Sequence, residues 1–171
     1  MKESHDSTIR LAVTDDISAI NKIYNQAVND GLRTAHTEPV SLKDRRIWFS
    51  NHRKDAFPIF IAEINGQIAG WISISPYRSD RQALDEVIEI SYYVDYSHHK
   101  KGLGSRLMDR ALHFCQQAPY RIAGAILISQ NQASITLLKK FGFSEGGRIP
   151  DAIRYEDTFR DHLYFFKKLQ N

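Results

Sequence analysis

Cysteine is almost absent: Cys115 is the one thiol in 171 residues. It has no partner within the chain, so a disulfide framework is excluded and a reducing compartment is indicated. An excess of one charge is also missing, since 23 Lys and Arg oppose 20 Asp and Glu for a net of +3. That balance argues against a nucleic-acid partner and requires any basic function to be local. No apolar run approaches the ~20 residues of a membrane span. The opening Met1-Lys2-Glu3-Ser4-His5-Asp6-Ser7 has no apolar core behind its lysine, so neither a membrane partner nor a leader is expected. The expectation is a soluble, cytoplasmic protein. Its 5 prolines and 9 glycines are scattered at turn-like positions, which leaves no linker, repeat or low-complexity run. One domain over residues 1–171 follows, with about residues 1–7 as a disordered tail. A chain of this size buries enough apolar surface to fold without a structural metal.

What is present alternates between strand and helix patterns. Ile9–Val13 reads as a strand, and Thr14-Asp15-Asp16 caps a helix carrying Ile17, Ile20, Ile23, Tyr24 and Ala27. An irregular segment from Asn29 to Pro39 precedes Ser41-Leu42-Lys43-Asp44, a capping box that opens a helix with Ile47 and Trp48. Two strands, Pro58–Glu63 and Gln67–Ile74, flank Asn65-Gly66, the strongest short hairpin signal. A charged stretch from Tyr77 to Asp85 is followed by a β-branched and aromatic strand, Val87–Val94. The spacing then predicts a helix after Gly102 and Gly104 ending near Gln117, a buried strand Ile122–Ile128, a helix Asn131–Lys140, and a last strand Asp161–Lys168. The fold class is α/β: a mixed sheet with an antiparallel N-terminal half, flanked by helices.

The segment His98-His99-Lys100-Lys101-Gly102-Leu103-Gly104-Ser105 lies between a strand and a helix. Two glycines let the backbone approach a ligand, the helix start offers unpaired N–H groups, and basic side chains stand beside them. That describes an anion cradle, or else a glycine turn with a solvated basic face. Walker A spacing is absent, and the dinucleotide fingerprint would need a small residue where Leu107 stands.

Together with Tyr92-Tyr93-Val94 before it and Asn131-x-x-Ser134-x-x-Leu137-Leu138-x-Lys140-x-Gly142-Phe143 after it, this segment resembles the GNAT superfamily of acetyl-CoA-dependent N-acetyltransferases. The loop His99-Lys100-Lys101-Gly102-Leu103-Gly104 matches the superfamily's [Gln/Arg]-x-x-Gly-x-[Gly/Ala] at both small positions and departs at His99. Thr37-Glu38-Pro39, Trp48, Phe57-Pro58, Ala62-Glu63, Gly66, Gly70 and Arg81 eight residues before Glu89 look like the phosphinothricin and methionine-sulfoximine acetyltransferase family. The resemblance implies the GNAT fold, with a mostly antiparallel central sheet of about seven strands. It also implies acetyl-CoA as co-substrate, no metal, a small amine acceptor and a homodimer. Tyr92, Tyr93 and Val94 would line the pantetheine, and His99, Lys100, Lys101, Gly102, Leu103, Gly104 and Ser105 would hold the pyrophosphate. Asn131, Ser134 and Lys140 would complete the cofactor site. Two further departures are Leu138, where the superfamily often has an acid-capable tyrosine, and Leu84, where an aromatic is expected.

Glu89 is the expected general base. Its neighbours Ile88 and Ile90 suggest a desolvated carboxylate with a raised pKa, and Glu86, taken to share its face, is the competing carboxylate. A structural ion pair with Arg78 or Arg81 is the alternative. Tyr77, Arg78, Arg81 and Thr37 are the candidate acceptor-binding residues, since a guanidinium can fork onto a carboxylate. His98 and His99 lack a spaced third ligand for a metal. Cys115 reads as packing, and Trp48 and Trp71 as core or pocket wall. The expected activity is acetyl transfer to a primary amine by direct attack. The alternatives are a non-catalytic acyl-CoA sensor and an acetyltransferase for protein N-termini or polyamines.

Overall fold

A computed structural model describes residues 7–169. Strand β1 (Ser7–Leu11) and helices α1 (Ile17–Asp30) and α2 (Leu42–Ser50) precede β2 (Ile59–Ile64), β3 (Gln67–Pro76) and β4 (Val87–Val94). Then come α3 (Leu103–Gln116), β5 (Ile122–Ile128), α4 (Gln132–Lys140), β6 (Ser144–Tyr155) and β7 (Thr158–Lys168). The seven strands form one sheet in the order β1-β2-β3-β4-β5-β7-β6. Every neighbouring pair is antiparallel except β4 with β5. That parallel pair needs a long crossover, and α3 supplies it. The β2–β3 hairpin turns on Asn65-Gly66, both with positive φ.

Three expectations shift. β1 starts at Ser7, which pairs with Ile64, so that residue belongs to the sheet and not to a tail; the other tail residues, 1–6, lie outside the described residues. Thr14–Asp16 forms a 3-10 turn before α1, because the Asp16 carboxylate is engaged by the Val13 N–H at 2.7 Å and the Arg10 guanidinium at 2.7 and 2.9 Å. β6 is an additional strand, and β7 begins at Thr158. β6 pairs only with β7 and is exposed over most of its length, so it lacks the apolar alternation that marks a strand.

The sheet buries two layers. One face carries Ile72, Ile74, Ile88 and Ile90 against Leu103, Leu107, Met108, Ala111 and Cys115 of α3. The other carries Ile59, Ile61 and Trp71 against Ile20, Ile23, Tyr24 and Val28 of α1. Each fully buried isoleucine or leucine contributes about 1.5–3 kcal/mol, and these two layers fix the position of β4 between them.

Candidate active site

β4 and β5 share only three rungs, Val87↔Ile122, Ile88↔Ala123 and Glu89↔Gly124. Beyond Glu89 the strands part, while β4 stays paired with β3 as far as Gly70↔Val94. The Tyr77 N–H donates to the Val87 carbonyl and the Asp95 N–H to the Ala69 carbonyl. Those bonds assign the odd-numbered main-chain groups of β4 to β3. By the alternation of the ladder, the N–H and C=O groups of Ile90, Tyr92 and Val94 face the gap that β5 has left. A cavity of about 470 Å³ fills this gap, walled by Ile90–Val94, Ala125–Leu127 and the first turns of α3 and α4.

The loop at its mouth leaves backbone donors free. Helices α2 and α4 have side-chain caps, Ser41 accepting from the Asp44 N–H and Asn131 from the Ser134 N–H. Helix α3 has none, because it starts on Gly102 at φ +79°, a left-handed conformation that favours glycine. The first helical bond in this turn runs from the Arg106 N–H to the Gly102 carbonyl, which leaves the amides of Leu103, Gly104 and Ser105 without helical partners. His99, Lys100, Gly102, Leu103, Gly104 and Ser105 all line the cavity, as do Tyr92, Tyr93, Val94, Asn131 and Ser134. Lys101 and Lys140 do not; Lys101 is exposed, and the Lys140 ammonium donates to the Ser105 hydroxyl at 3.1 Å. The Tyr92 hydroxyl donates to the Ser134 carbonyl at 3.5 Å, and burial pushes its pKa up to about 12.

A second cavity, of about 650 Å³, lies on the α1/α2 side and shares Ser91, Tyr93, Ile126 and Leu127 with the first. Glu89 lines it. Ile88 and Ile90 belong to the opposite face of the strand, so the Glu89 carboxylate looks instead onto its ladder partner Ser75 and onto Ser73 and Ser91. Burial alone raises its pKa above the ordinary glutamate value, and no ion pair holds it among the described residues. The guanidinium pairing therefore does not form: Arg81 is exposed and bound to Asp80 at 2.5 Å. Glu86 precedes β4, is exposed, and faces Arg121 at 3.5 Å; an offset of three residues from Glu89 cannot put both on one strand face. Arg78, Tyr77 and Thr37 also lie outside the lining, with Tyr77 edge-on to Phe166.

The residues that do wall this cavity include several that the sequence did not single out: Tyr24, His36, Arg45, Ser73, Ser75, Ser91 and His162, beside Trp48 and Trp71. Arg45 and Trp48 are three apart on α2, a spacing that puts them on one helix face and was legible. The others meet only through the sheet. Cys115 is packed in the core, and burial pushes its thiol up to about 12.

Residues 24–143 match the profile of the acetyltransferase (GNAT) family. The chain is 37% identical over 155 residues to YwnH of Bacillus subtilis (strain 168), described as a candidate phosphinothricin acetyltransferase, covering 87% of this chain and 94% of that protein. It is 32% identical over 143 residues to an L-methionine sulfoximine/L-methionine sulfone acetyltransferase of Salmonella typhimurium, covering 84% and 83%. The crystal structure of a phosphinothricin acetyltransferase from Sinorhizobium meliloti in complex with acetyl-CoA superposes with a TM-score of 0.90 at 25% identity, covering 95% of this chain and 88% of that one.

Proposed function

Because the chain belongs to the acetyltransferase (GNAT) family, we propose that it uses acetyl-CoA to acetylate the primary amine of a small amino-acid-like acceptor of the phosphinothricin or methionine sulfoximine type. One observation carries this reading: the β4–β5 split joins a cleft with uncapped helix amides at its mouth to a second cavity holding a desolvated carboxylate. When bound, acetyl-CoA supplies an activated acetyl thioester. The residues of the cleft fit it. The amides of residues 103–105 and the side chain of Lys100 would take the pyrophosphate, with Lys101 and Lys140 adding positive charge outside the lining and His99 bracing the loop from within the cleft. The main-chain groups of Ile90, Tyr92 and Val94 would bond the pantetheine arm, with the Val94 N–H polarising the thioester carbonyl.

Glu89 accepts the proton that the acceptor's ammonium must lose before its nitrogen can attack. A carboxylate with a raised pKa suits that exchange near neutral pH. Transfer is by direct attack of the amine, and the one cysteine takes no part, being packed in the core away from both cavities. Tyr92 supplies the proton for the departing sulfur. Its hydroxyl reaches α4 at Ser134, one turn before Leu138 on the same helix face, so a phenol from β4 serves where α4 presents leucine.

Incubation with acetyl-CoA and a panel of amino acids and analogues, followed by thiol release, tests the reading. Release is expected with methionine sulfone or phosphinothricin, whereas acetyl-CoA binding without release for any amine would mark a sensor. We further infer a homodimer, in which residues 34–39 and 77–85 border a shared pocket. That arrangement would give Tyr77, Arg78, Arg81 and Thr37 a role beyond the cavity of their own chain. Light scattering is expected to give twice the chain mass at micromolar concentration, and a single-chain mass would refute it.

A further inference from the structure

Arg45 is only 4% exposed, yet no carboxylate among the described residues pairs with it. Its Nε donates to the Asn21 side-chain oxygen at 3.1 Å. Its guanidinium carbon lies 4.3 Å from the ring centre of Tyr24, 4.6 Å from that of Trp48 and 5.9 Å from that of Trp71. The two terminal nitrogens have no hydrogen-bond partner among the described residues. Among the described residues no fully buried side-chain nitrogen or oxygen is left unpaired, so these nitrogens open into the second cavity, which Arg45 lines.

A guanidinium removed from water without a counter-charge is costly. Stacking on aromatic faces offsets part of that cost and fixes the plane of the fork. What remains is a rigid pair of N–H donors aimed at a ligand. Other charged groups around the cavity are engaged elsewhere. Arg33 pairs with Asp30, His36 bonds the Tyr24 hydroxyl, and Asp44 accepts from the Ser41 hydroxyl at 2.6 Å. Glu89 lies on the sheet wall of the same cavity and forms no ion pair with Arg45. The cavity thus presents one desolvated carboxylate, Glu89, and one unpaired guanidinium to whatever enters, with the exposed Asp44 also in its lining.

We propose that the Arg45 guanidinium is the receptor for an oxyanion of the acceptor, holding that end of the molecule while its amine meets Glu89. The assignment rests on the acetyltransferase reading above and deepens it. Within one chain it places recognition of the anion at the aromatic box on α2. It also excludes polyamines, which bring no anion to satisfy the fork. A site built to bond an oxyanion rejects an analogue lacking it, because its own donors are then left unpaired.

Steady-state kinetics on the full chain at saturating acetyl-CoA provide the test, with methionine sulfone, its α-carboxamide and phosphinothricin as acceptors. The wild type is expected to prefer the acid over the carboxamide by tenfold or more in kcat/KM. Arg45→Met is expected to raise the KM for methionine sulfone at least tenfold, leave the Kd of acetyl-CoA unchanged by calorimetry, and erase the preference. Arg45→Lys, which keeps charge but loses the fork, is expected to fall between. If phosphinothricin suffers far more than methionine sulfone, the bound oxyanion is its side-chain phosphinate; equal losses with the preference erased identify the α-carboxylate. Turnover by Arg45→Met with the preference intact would overturn the assignment. Should that variant fail to fold, a wild type that is indifferent to the carboxamide and also shows no preference for phosphinothricin over methionine sulfone would overturn it equally. Absence of thiol release by the wild type with all three acceptors would remove the acetyltransferase reading itself, and this assignment with it.

Discussion

The Nε2 of His99 stands 2.9 Å from the carbonyl oxygen of Val94, tying the anion loop back to the end of the strand that lines the cleft. A carbonyl only accepts, so Nε2 carries the proton. The contact gives His99 a bracing role that a glutamine or arginine would fill with a different donor. Losing it costs on the order of 1 kcal/mol. His99→Ala is therefore expected to weaken acetyl-CoA binding by about fivefold, and His99→Gln by less. Calorimetric titration measures both, and an unchanged Kd for the alanine variant would dismiss the brace.

Glu89→Gln keeps the size of the side chain and abolishes proton acceptance. Its kcat is expected to fall by ~10²–10⁴ with acetyl-CoA affinity retained. Stability should move the other way. Because burial raises the folded-state pKa of Glu89, the folded protein holds this proton more tightly than the unfolded chain does. The carboxylate therefore destabilises the fold increasingly as pH rises from the unfolded glutamate value through the folded one. The glutamine variant should melt at or above the wild-type temperature at pH 8 and lose that advantage near pH 4. A lower melting temperature at pH 8 would mean that Glu89 has a structural partner.

Gly102 and Gly104 fail for different reasons when replaced. A Cβ on Gly102 meets nothing within 4 Å, but φ is +79°; on Gly104 it meets the Leu137 Cδ2 at 3.2 Å. Gly102→Ala is expected to cost about 1–2 kcal/mol through the backbone and to weaken acetyl-CoA binding by turning the amides. Gly104→Ala needs only a small shift of one leucine methyl. Urea denaturation of the two variants should rank them in that order, and the reverse ranking would refute the role of the left-handed turn.

Tyr92→Phe removes the hydroxyl that reaches Ser134 and leaves the ring packed. We expect kcat to drop about tenfold, at the modest end for a lost proton donor with water as substitute, while the KM for acetyl-CoA holds. Presteady-state thiol release resolves the step. An unaltered rate would assign the proton to solvent.

Much of the architecture was legible because it was local. Val87–Val94 is a β-branched and aromatic run and Ile122–Ile128 a nearly continuous apolar one, and their bounds match the structure. Asn65-Gly66 named its own turn. β6 was hidden, since Ser144–Tyr155 is rich in glycine and charge and takes its order from β7, not from burial. The anion loop was readable for the same local reason: glycine, helix start and basic residues are adjacent in the chain. The second cavity was not, because Arg45, His36, Ser75 and His162 meet there only through the tertiary fold. The nearest charged loop to Glu89 in sequence drew attention to Arg78 and Arg81, whereas packing of α2 on the sheet brings in Arg45.

The short seam between β4 and β5 bears on how long the folded chain survives. Within the sheet, three rungs are all that bond the four N-terminal strands to the three C-terminal ones. Such a joint opens before the rest of the sheet, and amides such as those of Tyr92 and Val94 should exchange with deuterium early in the free protein. A molecule lodged between the halves acts as a rivet, adding about 2.7 kcal/mol when present at a hundred times its Kd. Resistance of the free chain to proteolysis should therefore rise when acetyl-CoA is added, and an unchanged cleavage rate would mean that nothing rivets this seam.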